Sequence, residues 1–271
     1  MKFKELLRMA GIRERPVTYP YEVVTFELPL DGQVQYAQWL HPGESRKQIL
    51  QEVVQELRKF ISPGDVAVDI GAHTGDTAIP MALAAGAEGC VLALEPNRYV
   101  FPVLQKNAAL NSAKGTIVPL MIAATPVAGE FEFEYTDSGF CNGGLHEGVS
   151  RWRHGHAFKL AVRGEHLPSY LAAHFPGLSA RIRFLKVDAE GYDYQVLASL
   201  SSLIGSRKPF IKAEVFKLLN VEQRQRLYDL LVQLGYDVYT VESDVKYLGE
   251  RLDRGELMNR PHYDVFCVPA V

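Results

Sequence analysis

The chain has 271 residues, of which 47% are hydrophobic and 23% charged, and this composition is typical of a globular protein. Lys and Arg number 29 against 32 Asp and Glu, so no overall basic field attracts a nucleic acid. The longest nearly uncharged apolar stretch, residues 79–87, is far shorter than the ~20 residues of a membrane span. The 3 cysteines form no Cys-x-x-Cys pair, which is typical of a reducing compartment. We therefore predict a soluble, cytoplasmic protein with no membrane span and no nucleic-acid partner.

The N-terminal part of the chain gives weak signals for regular structure. Residues 1 to about 45 contain several proline breakers, and 21–27 is a candidate strand. Ser45 is a candidate cap for a helix that ends near Ile61. We predict an N-terminal extension and helix over residues 1–60, acting as an appendage or lid, followed by the main domain over 61–271.

From residue 66 onward, apolar strand patterns alternate with helical patterns. The predicted strands are 66–70, 91–95, 116–123, 182–187, 210–215, 236–241 and 263–268, and the predicted helices are 76–85, 99–110, 192–203 and 221–234. Nearly continuous apolar strands that alternate with helices are typical of a parallel sheet covered on both faces. We predict an α/β fold with a doubly wound sheet of about seven strands.

One insertion interrupts this alternation after the third strand. Residues 130–135 alternate with period two, and 159–162 could pair with them as a β-hairpin around a loop at about 136–157. Loops of this length are usually functional or disordered. We predict that this loop contacts the substrate and that His146 is its candidate base; a plain surface loop is the alternative.

The first chemical motif is the turn D-I-G-A-H-T-G-D-T at residues 69–77, between a strand and a helix. Glycines let the backbone turn tightly against a ligand, and the helix N-terminus offers N–H groups. The glycines are not spaced as G-x-G-x-x-G, and Asp76 would repel a pyrophosphate. The turn therefore favours a ligand with a cationic segment, such as S-adenosylmethionine. A tight turn with a capping aspartate is the alternative.

The second and third motifs also lie at strand ends. Glu95, before Pro96 and Asn97, is placed where an acid can accept hydrogen bonds from both ribose hydroxyls of an adenosine. Lys186 and Asp188 project to one face at the end of a buried strand, where ionisable groups are costly unless paired or used. A structural ion-pair network is the alternative for this last pair.

Together these motifs resemble the FkbM-type family of S-adenosylmethionine-dependent methyltransferases. The resemblance rests on D-I-G-A-H-T-G-D-T, A-L-E-P-N with L-Q-K-N-A-A-L-N, and F-L-K-V-D-A-E-G-Y-D, and it spans roughly residues 61–268. It implies the seven-stranded class I methyltransferase (Rossmann-like) sheet with its last strand antiparallel. It also implies O-methylation of a hydroxyl on a sugar, glycan, glycolipid or secondary metabolite. The candidate cofactor-binding residues are Asp69, Gly71, His73, Thr74, Gly75, Asp76, Thr77, Glu95, Pro96 and Asn97; the adenine contact stays unassigned.

We therefore predict an S-adenosylmethionine-dependent O-methyltransferase, with Asp188 and Lys186 near the reacting centre and His146 on the loop. In an alternative interpretation, Asp188, Glu190 and Glu214 are ligands of a bound Mg²⁺, because this hard ion prefers carboxylate oxygens. Two rival functions are a catalytically silent adenosine-ligand-binding sensor or scaffold and a nicotinamide-dependent oxidoreductase; the absence of G-x-G-x-x-G disfavours the latter. The acceptor is expected to be a small-molecule, glycan or lipid hydroxyl, and a homo-oligomer is left open.

Overall fold

The computed structural model describes residues 16–135, 138–139, 143–144 and 158–270. Its strands are β1 (Tyr21–Leu28), β2 (Gly32–Trp39), β3 (Val66–Ile70), β4 (Cys90–Leu94), β5 (Thr116–Leu120), β6 (Ala123–Ala124), β7 (Gly129–Tyr135), β8 (Gly143–Gly144), β9 (Phe158–Glu165), β10 (Ile182–Val187), β11 (Phe210–Val215), β12 (Tyr236–Thr240) and β13 (Tyr263–Pro269). Its helices are α1 (Gln51–Leu57), α2 (Ala78–Ala85), α3 (Phe101–Leu110), α4 (Leu167–His174), α5 (Asp193–Ser199), α6 (Ser201–Arg207) and α7 (Val221–Gln233), with short 3₁₀ turns at Ser179–Arg181 and Arg254–Glu256.

The central sheet follows the order β12-β13-β11-β10-β3-β4-β5. Strands β10, β11, β3, β4 and β5 pair in parallel, whereas β13 runs antiparallel to both β11 and β12. Alternate residues of β3 face two separate cores: Val66, Val68 and Ile70 pack in one and Ala67 in the other. Burial on both faces explains why these strands are continuous apolar runs in the sequence. The prediction of a seven-stranded α/β sheet with an antiparallel last strand is confirmed.

The N-terminal segment is more ordered than the sequence analysis predicts. β1 and β2 form an antiparallel hairpin, so the predicted irregular stretch contains a second strand. Leu28, Val34 and Tyr36 are buried in the same core as α2. The hairpin is therefore part of the packed molecule and not a loose appendage, which corrects that expectation.

Two helix predictions also need correction, and one helix has no counterpart in the sequence analysis. The helix predicted over 45–61 is the shorter α1, because residues 44–50 are not helical and Leu50, just before α1, has an extended backbone. The helix predicted over 192–203 divides into α5 and α6, which meet at Leu200. Helix α4 was not predicted at all. Among the described residues no helix is both long and apolar enough to cross a membrane.

The insertion after the third core strand forms a second, smaller sheet. Its order is β6-β9-β7-β8, and β7 pairs with β9 in antiparallel register from Gly129↔Gly164 to Tyr135↔Phe158. The predicted hairpin is confirmed and is longer than expected. Most of the loop that it encloses, residues 136–157, lies outside the described residues, and so does His146.

Candidate functional site

A cavity of about 320 Å³ opens at the carboxyl ends of the parallel strands. This is the edge where open α/β sheets bind their ligands. Ten of the residues singled out in the sequence line it: Gly71, His73, Asp76, Thr77, Glu95, Pro96, Asn97, Lys186, Asp188 and Glu190. The three motifs, which are far apart in sequence, therefore meet around one space.

Three other candidate residues from the first motif do not line this cavity: Asp69, Thr74 and Gly75. Asp69 is fully buried, and its Oδ2 accepts a hydrogen bond of 2.6 Å from Thr77 Oγ1. Thr74 is also fully buried, with its Oγ1 2.6 Å from the Tyr36 hydroxyl. These residues hold the turn in shape rather than facing the cavity.

The turn requires glycine at position 71 for two reasons. Gly71 has a φ of +77°, which side-chain-bearing residues rarely adopt. A Cβ at this position would lie 2.0 Å from the backbone oxygen of Asp188. The end of β3 and the segment after β10 can therefore approach each other closely only with glycine here, and this approach brings the first and third motifs to the same cavity.

Glu95 is held by backbone donors on both sides. Its Oε2 accepts a 2.9 Å hydrogen bond from the N–H of His73, and its Oε1 accepts a 2.8 Å hydrogen bond from the N–H of Asn97. Burial raises the pKa of this carboxyl to about 7, against the lowering effect of both N–H groups. The carboxylate is thus fixed in orientation at the cavity wall, with lone pairs left for further donors.

Lys186 is the centre of a buried ion-pair cluster. Its Nζ lies 3.3 Å from Asp69 Oδ1 and 3.4 Å from Asp188 Oδ2, and it donates a 3.1 Å hydrogen bond to the Gly71 carbonyl. Burial favours a lower pKa, but the carboxylates of Asp69, Asp188 and Asp76 outweigh burial and raise the pKa of Lys186. Lys186 therefore stays protonated and cannot act as a base. Its charge orients Asp188, whose side chain is 43% exposed.

The residues after Asp188 form a strained turn. Glu190 has a φ of +52°, and burial together with the charge of Asp188 raises its pKa to about 7. Asp193 is fully buried beneath the turn and accepts 3.1 Å hydrogen bonds from the N–H groups of Ala189 and Gly191. This bracing holds the Glu190 carboxyl at the cavity wall.

The magnesium alternative finds no support in the described part of the chain. No group of three or more His, Cys, Asp or Glu side chains there is placed to hold a metal ion. Asp188 is paired with Lys186. Glu214 is not among the residues that line the cavity, and burial, followed by the nearby carboxylates, raises its pKa to about 10.

Sequence reasoning missed several residues that line the cavity. Glu44 and Lys47 come from the segment between the hairpin and α1, Tyr135 from β7, and Lys212 and Asp264 from β11 and β13. Lys212 carried a usable signal, because it is a charged residue within an apolar strand, as Lys186 is. The other four depend on tertiary packing between distant segments.

Comparison with known proteins places these motifs in a family. The sequence model of the Methyltransferase FkbM domain matches residues 69–238, which is more than half of the chain. No protein with a curated description is similar enough to count as a relative. Among solved structures, the FkbM methyltransferase of Methylobacillus flagellatus KT is 15% identical with a TM-score of 0.46. The alignment covers 76% of this chain and 44% of that one, so this chain spans less than half of the length of that protein.

Two further solved structures have similarly low sequence identity to this chain. Fibrillarin from Aeropyrum pernix, determined with natively bound S-adenosyl-L-methionine, is 12% identical over 94% of this chain and 97% of that chain, with a TM-score of 0.45. An S-adenosylmethionine-dependent O-methyltransferase from Thermotoga maritima is 11% identical over 93% of this chain and 78% of that chain, also with a TM-score of 0.45. The sequence match over residues 69–238 is what decides the family: the chain is a member of the FkbM methyltransferase family.

Proposed function

We propose that this protein transfers the methyl group of S-adenosylmethionine to a hydroxyl group of a sugar, glycan, glycolipid or secondary metabolite. The observation that carries the proposal is the single cavity in which Glu95 faces the same space as Asp188 and Glu190. The carboxylate of Glu95 suits the ribose of a nucleoside, and the carboxyl groups of Asp188 and Glu190 suit a polar acceptor beside it.

The residues at the cavity wall fit this cofactor. The fixed carboxylate of Glu95 can accept hydrogen bonds from both ribose hydroxyls. Beyond β4 and β5, the apolar side chains of Ile122, Ala123 and Ala124 line the cavity next to Glu95 and suit an adenine ring. We therefore assign the adenine contact, for which the sequence motifs offer no residue, to these three side chains.

When bound, the cofactor supplies a methyl group on a sulfonium sulfur, and the acceptor oxygen displaces that sulfur in line. The new bond joins oxygen to the methyl carbon, the sulfur leaves with the electron pair as S-adenosylhomocysteine, and the hydroxyl proton goes to a base. Most of the rate enhancement in such a reaction comes from alignment and exclusion of water. The turn at Gly71 and the cluster around Lys186 supply rigid positions for that alignment.

We assign the proton-accepting role to the carboxylate of Asp188. Lys186 fixes its orientation at 3.4 Å, and its side chain is exposed enough to reach a ligand. Glu190 stands close along the chain, and with a pKa of about 7 it can take up a proton near neutral pH. His146 remains a candidate for the same role on the loop, outside the described residues.

The test is an acceptor screen with methyl-labelled cofactor and mass-spectrometric location of the label. We expect label on an acceptor oxygen and equal release of S-adenosylhomocysteine. Asp188→Asn should lower kcat by ~10²- to 10⁴-fold, since it removes the base, and should leave the melting temperature nearly unchanged. Asp229→Asn is the matched control, because Asp229 is a surface carboxylate paired with Arg254 at 2.7 Å.

Two results would contradict the proposal. If the cofactor binds and no acceptor of these classes takes up label, the chain is the silent binding protein named among the alternatives. If Asp188→Asn keeps full activity and loses much of its thermal stability, Asp188 belongs to a structural ion-pair network instead.

A further inference from the structure

A second group of charges lies beyond Lys186, on the side of the cavity away from β4 and β5. Lys212 on β11 and Asp264 on β13 line the cavity there. Lys212 stands beside Lys186 in the parallel register of β10 and β11, and Glu214 stands opposite Asp264 in the antiparallel register of β11 and β13. Because side chains alternate along a strand, Glu214 shares the sheet face of Lys212 and lies in a row between Asp188 and Asp264. Both of these aspartates belong to the cavity wall.

The two buried lysines in this region already have acidic partners. Lys212 Nζ lies 3.1 Å from Asp244 Oδ1 and 3.2 Å from Asp264 Oδ2. Lys186 has two carboxylate partners of its own, as described above. Each ammonium group is thus shared between two carboxylates, and neither lysine neutralises a further acid.

Glu190 and Glu214 are the acids that remain beside these pairs. Among the described residues, neither carboxyl forms an ion pair with a lysine or an arginine. Burial and the charge of Asp188 raise the pKa of Glu190 to about 7, against the lowering effect of Lys217. Burial, followed by four neighbouring carboxyl groups, raises the pKa of Glu214 to about 10. This end of the cavity therefore holds more acids than its own cations balance.

Glu214 also has an oxygen atom that lacks a partner. The residue is only 7% exposed, and its Oε2 is buried without a hydrogen-bond donor from the described residues. Its Oε1 lies 3.6 Å from His262 Nδ1, which is too far for a hydrogen bond. Buried carboxyl oxygens in native proteins are nearly always hydrogen-bonded, so an exception points to a group that the protein binds. The position of Glu214 between Asp188 and Asp264 puts this oxygen next to the cavity wall.

A protonated amine has the chemistry that this end of the cavity lacks. An ammonium group donates three hydrogen bonds, and its positive charge offsets the excess of carboxyl groups. A hydroxyl group could also donate to Glu214, but it would leave the excess charge unopposed. A metal ion is the other cation that binds carboxylates, and no group of three or more suitable side chains is placed for one in the described parts of the chain.

We infer that Glu190, Glu214 and Asp264 form a subsite for an ammonium group of the acceptor, so that the acceptor is an amino sugar or another amino alcohol. This inference rests on the proposed function and narrows its acceptor class. Neighbouring strands lie about 4.8 Å apart, so the ammonium binds one to two strand spacings, roughly 5 to 10 Å, from the base Asp188. This separation fits a hydroxyl and an amine on one sugar residue. The amine keeps its proton between the carboxyl groups and has no free lone pair, so the hydroxyl at Asp188 receives the methyl group.

The experiment applies the methyl-label assay to matched sets of acceptors. Each set is one methyl hexoside in three forms, which carry an amine, an N-acetylated amine or a hydroxyl at the same carbon. The sets differ in the carbon that carries this group. In at least one set we expect label on an oxygen of the amine-bearing form. Its kcat/KM should exceed that of both neutral forms about tenfold to a hundredfold, the size of a charge-assisted hydrogen bond.

Two conservative variants locate the subsite. Glu214→Gln and Asp264→Asn keep the shape of each side chain and remove its acid. We expect at least one of them to abolish the preference for the amine, while kcat/KM for the neutral forms and the affinity for S-adenosylhomocysteine stay within about twofold. A merely structural role would instead lower kcat/KM for all three forms alike. Asp229→Asn is the matched control, because Asp229 pairs with Arg254 at the surface, and it should keep the preference.

Equal kcat/KM for the three forms in every set would overturn the inference, and so would a preference for the amine that survives in both variants. Either result leaves the proposed function intact, because a hydroxyl is still methylated. Label on the nitrogen would overturn the inference together with the hydroxyl as the methylated group. If no amine-bearing form takes up label, the inference is wrong, and the wider acceptor screen decides the proposed function separately, since a labelled neutral acceptor there would sustain it.

Discussion

Glu95 illustrates how a single buried carboxyl can couple ligand binding to pH. Two backbone N–H groups orient it, yet burial still keeps its pKa near 7. A ribose that donates two hydrogen bonds favours the ionised form, so binding of the nucleoside and loss of the proton are linked. The ionised form of Glu95 is the form that binds the ribose, and protonation depletes this form as the pH falls through about 7.

The affinity for 5′-methylthioadenosine should therefore be greatest above pH 7 and fall as the pH drops below that value. This ligand has no amino acid end to titrate, so the change reports on the protein. Calorimetry between about pH 5.5 and pH 8.5 measures it. Glu95→Gln should bind about tenfold to a hundredfold more weakly at high pH and should show a much flatter profile. A variant with the wild-type pH profile would assign the titration to another group, such as Glu190.

Among single residues, the sequence identifies the candidate site best where several site residues lie within one short motif. Gly71, Asp76 and Glu95 each end a strand or open a helix in the sequence pattern, and the structure brings all three to the cavity. Thr74 belongs to the same motif but faces the hairpin through Tyr36. Which side of a turn a residue faces depends on what packs behind it, and the sequence motif does not contain that information.

Among the elements, the hairpin of β1 and β2 acts as a brace for the glycine turn. Asn107 on α3 accepts a 2.6 Å hydrogen bond from the N–H of Ala37 and donates to the carbonyls of Ala37 and Thr74 at 3.1 and 2.7 Å. One fully buried side chain thus joins the hairpin, α3 and the turn. This bracing explains why an N-terminal segment can hold residues in the cavity wall.

The same hairpin shows which elements sequence patterns can reveal. Strands β3, β4 and β10 are buried on both faces and read as apolar runs, so their positions were predicted closely. β2 was missed although Gln33-Val34-Gln35-Tyr36 alternates as a half-buried strand should. The nearby prolines and the absence of an apolar run masked this signal. The predicted helix was longer than α1, because Lys47 lies in a non-helical segment where it pairs with Asp76.

Gly71→Ala tests the close approach of β3 and the segment after β10. The new Cβ would lie 2.0 Å from the Asp188 oxygen at a φ of +77°, so the two elements would have to separate. We expect a loss of several kcal/mol in the free energy of unfolding, or failure to fold, by thermal and urea denaturation. Gly205→Ala is the control: it lies in α6 with no atom within 4 Å of the added Cβ and should be neutral or slightly stabilising. Equal stability of the two variants would show that the turn can relax.

For the whole molecule, charge is distributed unevenly between the surface and the cavity. The net formal charge is only −3 over 271 residues. The cavity wall concentrates acids, with the carboxyl groups of Glu44, Asp76, Glu95, Asp188, Glu190 and Asp264 against the ammonium groups of Lys47, Lys186 and Lys212. Burial is the largest influence on His73 and lowers its pKa, so this residue adds no positive charge near neutral pH. An acidic wall in a concave site favours a cationic ligand.

This charge distribution predicts how salt affects two ligands that differ by one charge. S-adenosylmethionine carries a positive sulfonium, whereas S-adenosylhomocysteine has a neutral sulfur and the same amino acid end. At about pH 8, above the pKa of about 7 of Glu95 and Glu190, both of these carboxyl groups are mostly ionised. Added salt shortens the screening length from roughly 14 Å at 0.05 M to roughly 4 Å at 0.5 M and weakens attraction between charges that are partly open to solvent.

We therefore expect calorimetry to show a larger loss of affinity for S-adenosylmethionine than for S-adenosylhomocysteine over that salt range. The ratio of the two dissociation constants cancels every interaction that the ligands share, including those at the amino acid end. Asp188→Asn should reduce the difference, because Asp188 is the more exposed carboxylate of the Lys186 cluster. Asp229→Asn, at a surface ion pair, should leave it unchanged. Equal salt dependence for the two ligands would mean that the lysines at the wall balance its acids, and that selection of the sulfonium must come from shape and direct contacts instead.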